Sequence, residues 1–164
     1  MVSKYQTDAN KARLKLDKVS DTMCLAKWMQ TSLHLTTGMT NSCYHPPLHK
    51  IDVNKIVNNP AKLHNTDEKK MQRQQMLHGK RPSGCSYCWK LEDSKQMSDR
   101  FYRSGEPWAM ENFDNIVRNP HDDVVPTYVE VDFSSACNFK CSYCSPQFST
   151  AWAQEVEEHG AYPT

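Results

Sequence analysis

The chain has 164 residues and balances 20 Lys and Arg against 19 Asp and Glu, a net charge of +1 that by itself makes no case for a nucleic-acid partner. Only 38% of the residues are hydrophobic, the mean hydropathy is −0.78, and no run of about 18 apolar residues occurs, so a membrane span is not expected and core-forming side chains are scarce. The start Met1-Val2-Ser3-Lys4-Tyr5-Gln6 lacks the apolar stretch of a secretory signal, and seven cysteines are an odd number. Both facts argue against a disulfide framework and point to a reducing, cytoplasmic compartment in which thiolates are available to metal.

Taken in chain order, residues 1–20 are polar and basic, with a short Leu14/Leu16 alternation, and read as a loose arm leading into a strand. Thirteen residues separate Cys24 from Gly38, and four separate Gly38 from Cys43. The segments Leu33–Thr37 and Thr40–Tyr44 flank that glycine and predict a hairpin with Gly38 in the turn, which folds Cys43 back toward Cys24. Helix is expected over Ile51–Val57. A second helix begins at the capping signal Asn65-Thr66-Asp67-Glu68 and runs to Leu77, with Gly79 just beyond. Lys69, Lys70, Arg73, Lys80 and Arg81 make this the most basic part of the chain, and a solvated helix face is the expected reading.

Beyond Gly84-Cys85-Ser86-Tyr87-Cys88-Trp89, a short helix is expected to Asp93, followed by a polar bridge. Ser104 to Trp108 reads as a helix entry with Pro107 in its first turn, Met110, Phe113, Ile116 and Val117 give an apolar face, and Asn119-Pro120 stops it. Thr127 to Phe133 alternates and is rich in β-branched and aromatic residues, which predicts a strand. After the loop Cys137-Asn138-Phe139-Lys140-Cys141-Ser142-Tyr143-Cys144, the spacing of Phe148, Trp152 and Val156 predicts a helix that ends at Gly160. The seven histidines show no ligand spacing beside the cysteines. His45, two residues from Cys43, is the one nearest to a ligand position.

Close cysteines are ordinarily zinc ligands or buried thiols. Here three of them in one short loop would surround a four-iron cluster and leave one iron open, as a site meant for chemistry does. The pattern Cys137-x3-Cys141-x-Tyr143-Cys144, between a predicted strand and a predicted helix, resembles the signature of the radical S-adenosylmethionine (radical SAM) enzymes. The resemblance implies a [4Fe-4S] cluster on Cys137, Cys141 and Cys144 with Tyr143 beside it. It also implies SAM chelated at the open iron and cleaved reductively to a 5′-deoxyadenosyl radical, for hydrogen abstraction from an unknown substrate. An electron donor of the flavodoxin or ferredoxin kind is implied as a partner. Gly105-Glu106-Pro107 resembles that family's SAM-amine motif only superficially, because it precedes the triad and lacks the first glycine.

Cys24, Cys43, Cys85 and Cys88 are the number that closes a tetrahedral zinc or a four-iron cluster. Cys24-x13-Gly38-x4-Cys43 resembles the first half of the SPASM and twitch domains, which implies an auxiliary [4Fe-4S] cluster, with zinc the alternative. In the familiar order that domain follows the barrel, whereas here it precedes the triad. A zinc ribbon pairing Cys85/Cys88 with Cys141/Cys144 is disfavoured by the 52 intervening residues. The fold class expected is α+β: a polar arm (1–20), a permuted twitch-like hairpin and helical domain (21–125), and the first βα unit of a partial (β/α)6 radical SAM barrel (126–164). Only 20 residues follow Cys144, so the remainder of such a barrel is expected in a missing carboxyl-terminal part. The rival expectation is a non-enzymatic zinc- or iron–sulfur-binding module whose basic helix binds a partner.

Overall fold

Ser3 starts the first element by accepting a hydrogen bond from the Gln6 amide, and helix α1 follows over Lys4–Leu16. The computed structural model describes residues 3–161, which form two units, one up to Val131 and one from Asp132 onward. The expected loose arm is corrected at once. Ala9, Ala12 and Leu16 recur at helical spacing, are fully buried, and lie on the face that α1 packs against α6. With Ala in two of three places, the stripe is too weakly apolar to stand out from a basic sequence.

Helix α2 (Ala26–Met29) is short and almost wholly buried, and it leads into strand β1 (Gln30–His34). Strand β2 (Met39–Asn41) pairs antiparallel with β1 in the register Ser32 to Asn41, Leu33 to Thr40 and His34 to Met39. Gly38 closes the hairpin at φ +64°, a conformation in which a Cβ would be strained. Strand β3 (His49–Lys50) pairs antiparallel with β2. Strand β4 (Tyr128–Asp132) completes a mixed sheet of order β3-β2-β1-β4, tied to β1 by the Ser32 hydroxyl, which donates to Glu130 at 2.6 Å.

Helix α3 (Val53–Asn58) is capped by Asp52, and α4 (Asp67–Leu77) by Thr66, whose hydroxyl accepts from the Lys69 amide. The basic stretch is solvated only in part: Lys80 and Arg81, beyond the end of α4, are exposed. Lys69, Gln72, Arg73 and Met76 are buried, while Lys70 pairs with Asp123 and Arg81 with Asp93. Lys69 and Arg73 replace the missing carboxylates with neutral partners: Lys69 donates to Thr31 and Thr40, Arg73 to the Lys27 carbonyl and the Asn65 side chain. Helix α5 (Ser86–Asp93) follows a 3-10 turn at Ser83–Cys85. After α6 (Asp99–Gly105), Pro107 stands in the first turn of a new helix as expected, but the apolar face expected on one helix is divided between α7 (Pro107–Met110) and α8 (Phe113–Arg118).

The core of this unit is built on Leu16, Met23, Leu25, Trp28, Met76, Trp89, Phe101 and Ile116, with Cys24 and Cys85 among them. Among the described residues no helix is long and apolar enough to cross a membrane. In the second unit, helix α9 (Thr150–His159) is capped by the buried Ser149 and ended by Gly160 at φ +82°.

Candidate metal centres

Cys24 sits at the turn that opens α2, Cys43 directly after β2, Cys85 at the end of the 3-10 turn, and Cys88 one helical step further in α5. A three-residue spacing at a helix start puts the last two thiols on one side. All four line a single pocket together with Lys27, His45, Asp99, Arg100 and Arg103. Its enclosed part is about 20 Å³ and it widens to about 460 Å³ counting the space open to solvent. Burial raises each of three thiols above the ordinary range: Cys24 upward, Cys43 to about 11 and Cys88 to about 12. The remaining contributions come partly from the other cysteines, which is what close approach of the four requires. Without a metal these groups are neutral thiols; a metal displaces their protons.

The charged rim of the pocket is almost fully paired. Arg100 grips Glu92 with two nitrogens, Nε to Oε1 at 2.9 Å and Nη2 to Oε2 at 2.7 Å, and donates to the Met23 carbonyl at 2.8 Å. Arg103 donates to Glu106 at 3.0 Å, and the His45 ring meets Asp99 at 2.8 Å while stacking on Tyr87 with centroids 3.8 Å apart. His45 thus points at a carboxylate. Sequence reading missed Lys27, Glu92, Asp99 and Arg100, since no local spacing links these positions to the cysteines.

The triad is built differently. Cys137, Cys141 and Cys144 are all partly exposed free thiols, and Tyr143 is 90% exposed. The loop is held through its backbone by the start of α9. Ser149 Oγ donates to the Phe139 carbonyl at 2.8 Å, the Ala151 amide to the Cys137 carbonyl at 3.1 Å, and Trp152 Nε1 to the Cys141 carbonyl at 3.0 Å. The Thr150 hydroxyl accepts from the Cys137 amide at 3.1 Å, and Lys140 pairs with Glu155. A turn brings the Cys144 amide to the Cys141 carbonyl at 3.0 Å. The Tyr143 hydroxyl is raised by its hydrogen bond to Cys141 and by the neighbouring thiols. Among the described residues no three of His, Cys, Asp and Glu converge closely enough to hold a single metal ion. In comparisons with known proteins, the chain matches no family model, no curated protein and no solved structure.

Proposed function

We propose that this chain belongs to a radical SAM enzyme, with a SAM-binding four-iron cluster on Cys137, Cys141 and Cys144 and a second, auxiliary cluster on Cys24, Cys43, Cys85 and Cys88. The observation that carries the reading is the contrast between the two cysteine sets. Four thiols from separate segments line one pocket rimmed by paired charges, and three more stand on a partly exposed loop fastened mainly through its backbone. A four-thiolate site leaves no place for an exogenous ligand; a three-thiolate site leaves one.

The donor chemistry fits such groups, since both sets are thiols that no disulfide occupies. A mononuclear zinc holds four thiolates at about 2.3 Å and therefore about 3.8 Å from one another. Four thiols lining one pocket suit a four-iron cluster, with zinc the alternative. When bound, the triad cluster would supply the electron that cleaves SAM to methionine and a 5′-deoxyadenosyl radical, the electron coming from an external donor. The chain's own part is to hold and orient. Ser149, Thr150, Ala151 and Trp152 take up loop carbonyls and amides, so the cysteine side chains are left to the metal.

The test is anaerobic reconstitution with iron and sulfide of three chains: the parent, one with Cys137, Cys141 and Cys144 all changed to Ala, and one with the other four cysteines so changed. Each variant should lose one cluster's worth of iron and sulfide. Only chains that keep the triad should show a SAM-dependent change in the electron paramagnetic resonance of the reduced cluster. Full parental iron in the triad variant, or a SAM-dependent change that persists without the triad, would overturn the reading.

A further inference from the structure

Lys27 is 2% exposed and lines the cysteine pocket, yet among the described residues no carboxylate lies within ion-pair distance of its ammonium. The other charged groups on that lining are paired: Arg100 with Glu92, Arg103 with Glu106, and Asp99 with His45. What Lys27 has is Gln72, whose Oε1 accepts from Nζ at 2.6 Å while its Nε2 donates to Glu68 at 2.6 Å. This arrangement fixes the amide with its oxygen toward the ammonium. The lysine is thereby held in place and not neutralised.

A buried cation without a counter-ion is costly, and an anion placed beside it offsets that cost. Its ammonium lies near enough to Cys24 and Cys43 for its charge to reach both. Four thiolates closing a metal core carry more negative charge than the core offsets, so the loaded pocket is an anion beside an unpaired cation.

We propose that Lys27 is the counter-charge of the four-cysteine centre, a positioning residue that stabilises its more reduced, more negative state and is itself held by Gln72. The assignment rests on the cluster reading above. Charge near a cluster is one of the protein's means of setting its reduction potential.

The experiment uses the full chain with Cys137, Cys141 and Cys144 changed to Ala, reconstituted with iron and sulfide, and follows the remaining cluster by a redox titration monitored by electron paramagnetic resonance. Lys27→Met should make the cluster at least tenfold harder to reduce at equilibrium, a downward shift of about 59 mV for one electron. Lys27→Arg should restore most of the parental value. Gln72→Glu, which neutralises the ammonium in place, should shift the potential the same way by less, and it serves as the readout if the Met variant does not fold. Iron and sulfide bound with an unmoved potential in the Met and Glu variants would overturn the counter-charge and leave the cluster reading standing. Zinc, or no metal at all, would overturn both together.

Discussion

Lys69 Nζ donates to Thr31 Oγ1 at 2.8 Å and Thr40 Oγ1 at 2.9 Å, and it is fully buried. Burial, then the neighbouring Arg73 and Lys27 charges, lowers its pKa from 10.5 to about 7. Between those two values the unfolded chain holds a proton that the folded chain has released, so this group makes stability rise with pH across that window. Below about pH 7 both states hold the proton and the penalty is complete, roughly 4–5 kcal/mol at 1.36 kcal/mol per pH unit. Lys69→Met removes that penalty along with two hydrogen bonds. It should therefore be more stable at pH 7, on the order of 1–3 kcal/mol, and should show a shallower rise between pH 7 and 8.5. Urea unfolding at several pH values measures both quantities. A Met variant that is weaker at pH 7 and has the parental slope would show that the two hydroxyl contacts outweigh the buried charge. The same burial, aided by Arg73 and Lys69, takes His64 down to about 3, so its ring is neutral in the fold. None of this is legible in a run of Lys, Gln and Arg, because a helix that is polar all round does not announce which face will be covered.

Helices α1 and α6 meet at Gly105. A Cβ there would stand 3.0 Å from the carbonyl carbon and oxygen of Asp8 and 3.2 Å from the Ala9 nitrogen, all backbone atoms of α1. Backbone cannot rotate aside as a side chain can, so Gly105→Ala must push the two helices apart. The expected loss is about 1–3 kcal/mol in urea unfolding. Gly38→Ala is the useful comparison: nothing lies near its Cβ, and only the φ of +64° resists, which costs about 1 kcal/mol. Equal losses at the two positions would show that α1 gives way freely. In sequence Gly105-Glu106-Pro107 offers a helix boundary, which Pro107 at the start of α7 fulfils. The close approach to Asp8 joins positions nearly a hundred residues apart, beyond the reach of any local pattern. The hairpin at Gly38, the Thr66 cap, strand β4 and helix α9 were readable, since each depends on a turn residue, a cap or a period within its own segment.

At the scale of the whole molecule the two units differ in how much they bury. The first holds the core of Leu16, Trp28, Met76 and Phe101, whereas in the second Phe133, Phe139, Tyr143 and Phe148 are exposed and α9 has no buried residue. Local opening is easiest where few apolar contacts resist it. Hydrogen exchange of the metal-free chain should therefore protect amides of α1 and α4 strongly and those of α9 weakly. Adding iron and sulfide should raise protection at Ala151 and Trp152, whose amide and indole hold the loop, because a metal that binds only the ordered form stabilises it. Unchanged exchange in α9 after cluster loading would show that the triad loop orders nothing around it.

The sequence by itself determined the local elements and the grouping of cysteines into three and four, because caps, turns, strand alternation and ligand spacing are properties of neighbouring residues. Tertiary structure decided which charges are inside. Lys69 and Arg73 come from a stretch that reads as a solvated helix face, nothing local marks Lys27 or Arg100 as buried charges, and all four are buried in the packed chain. Burial is a property of the packed chain, and the partners that make it tolerable, Gln72 for Lys27, Thr31 and Thr40 for Lys69, and Glu92 for Arg100, mostly lie on other elements.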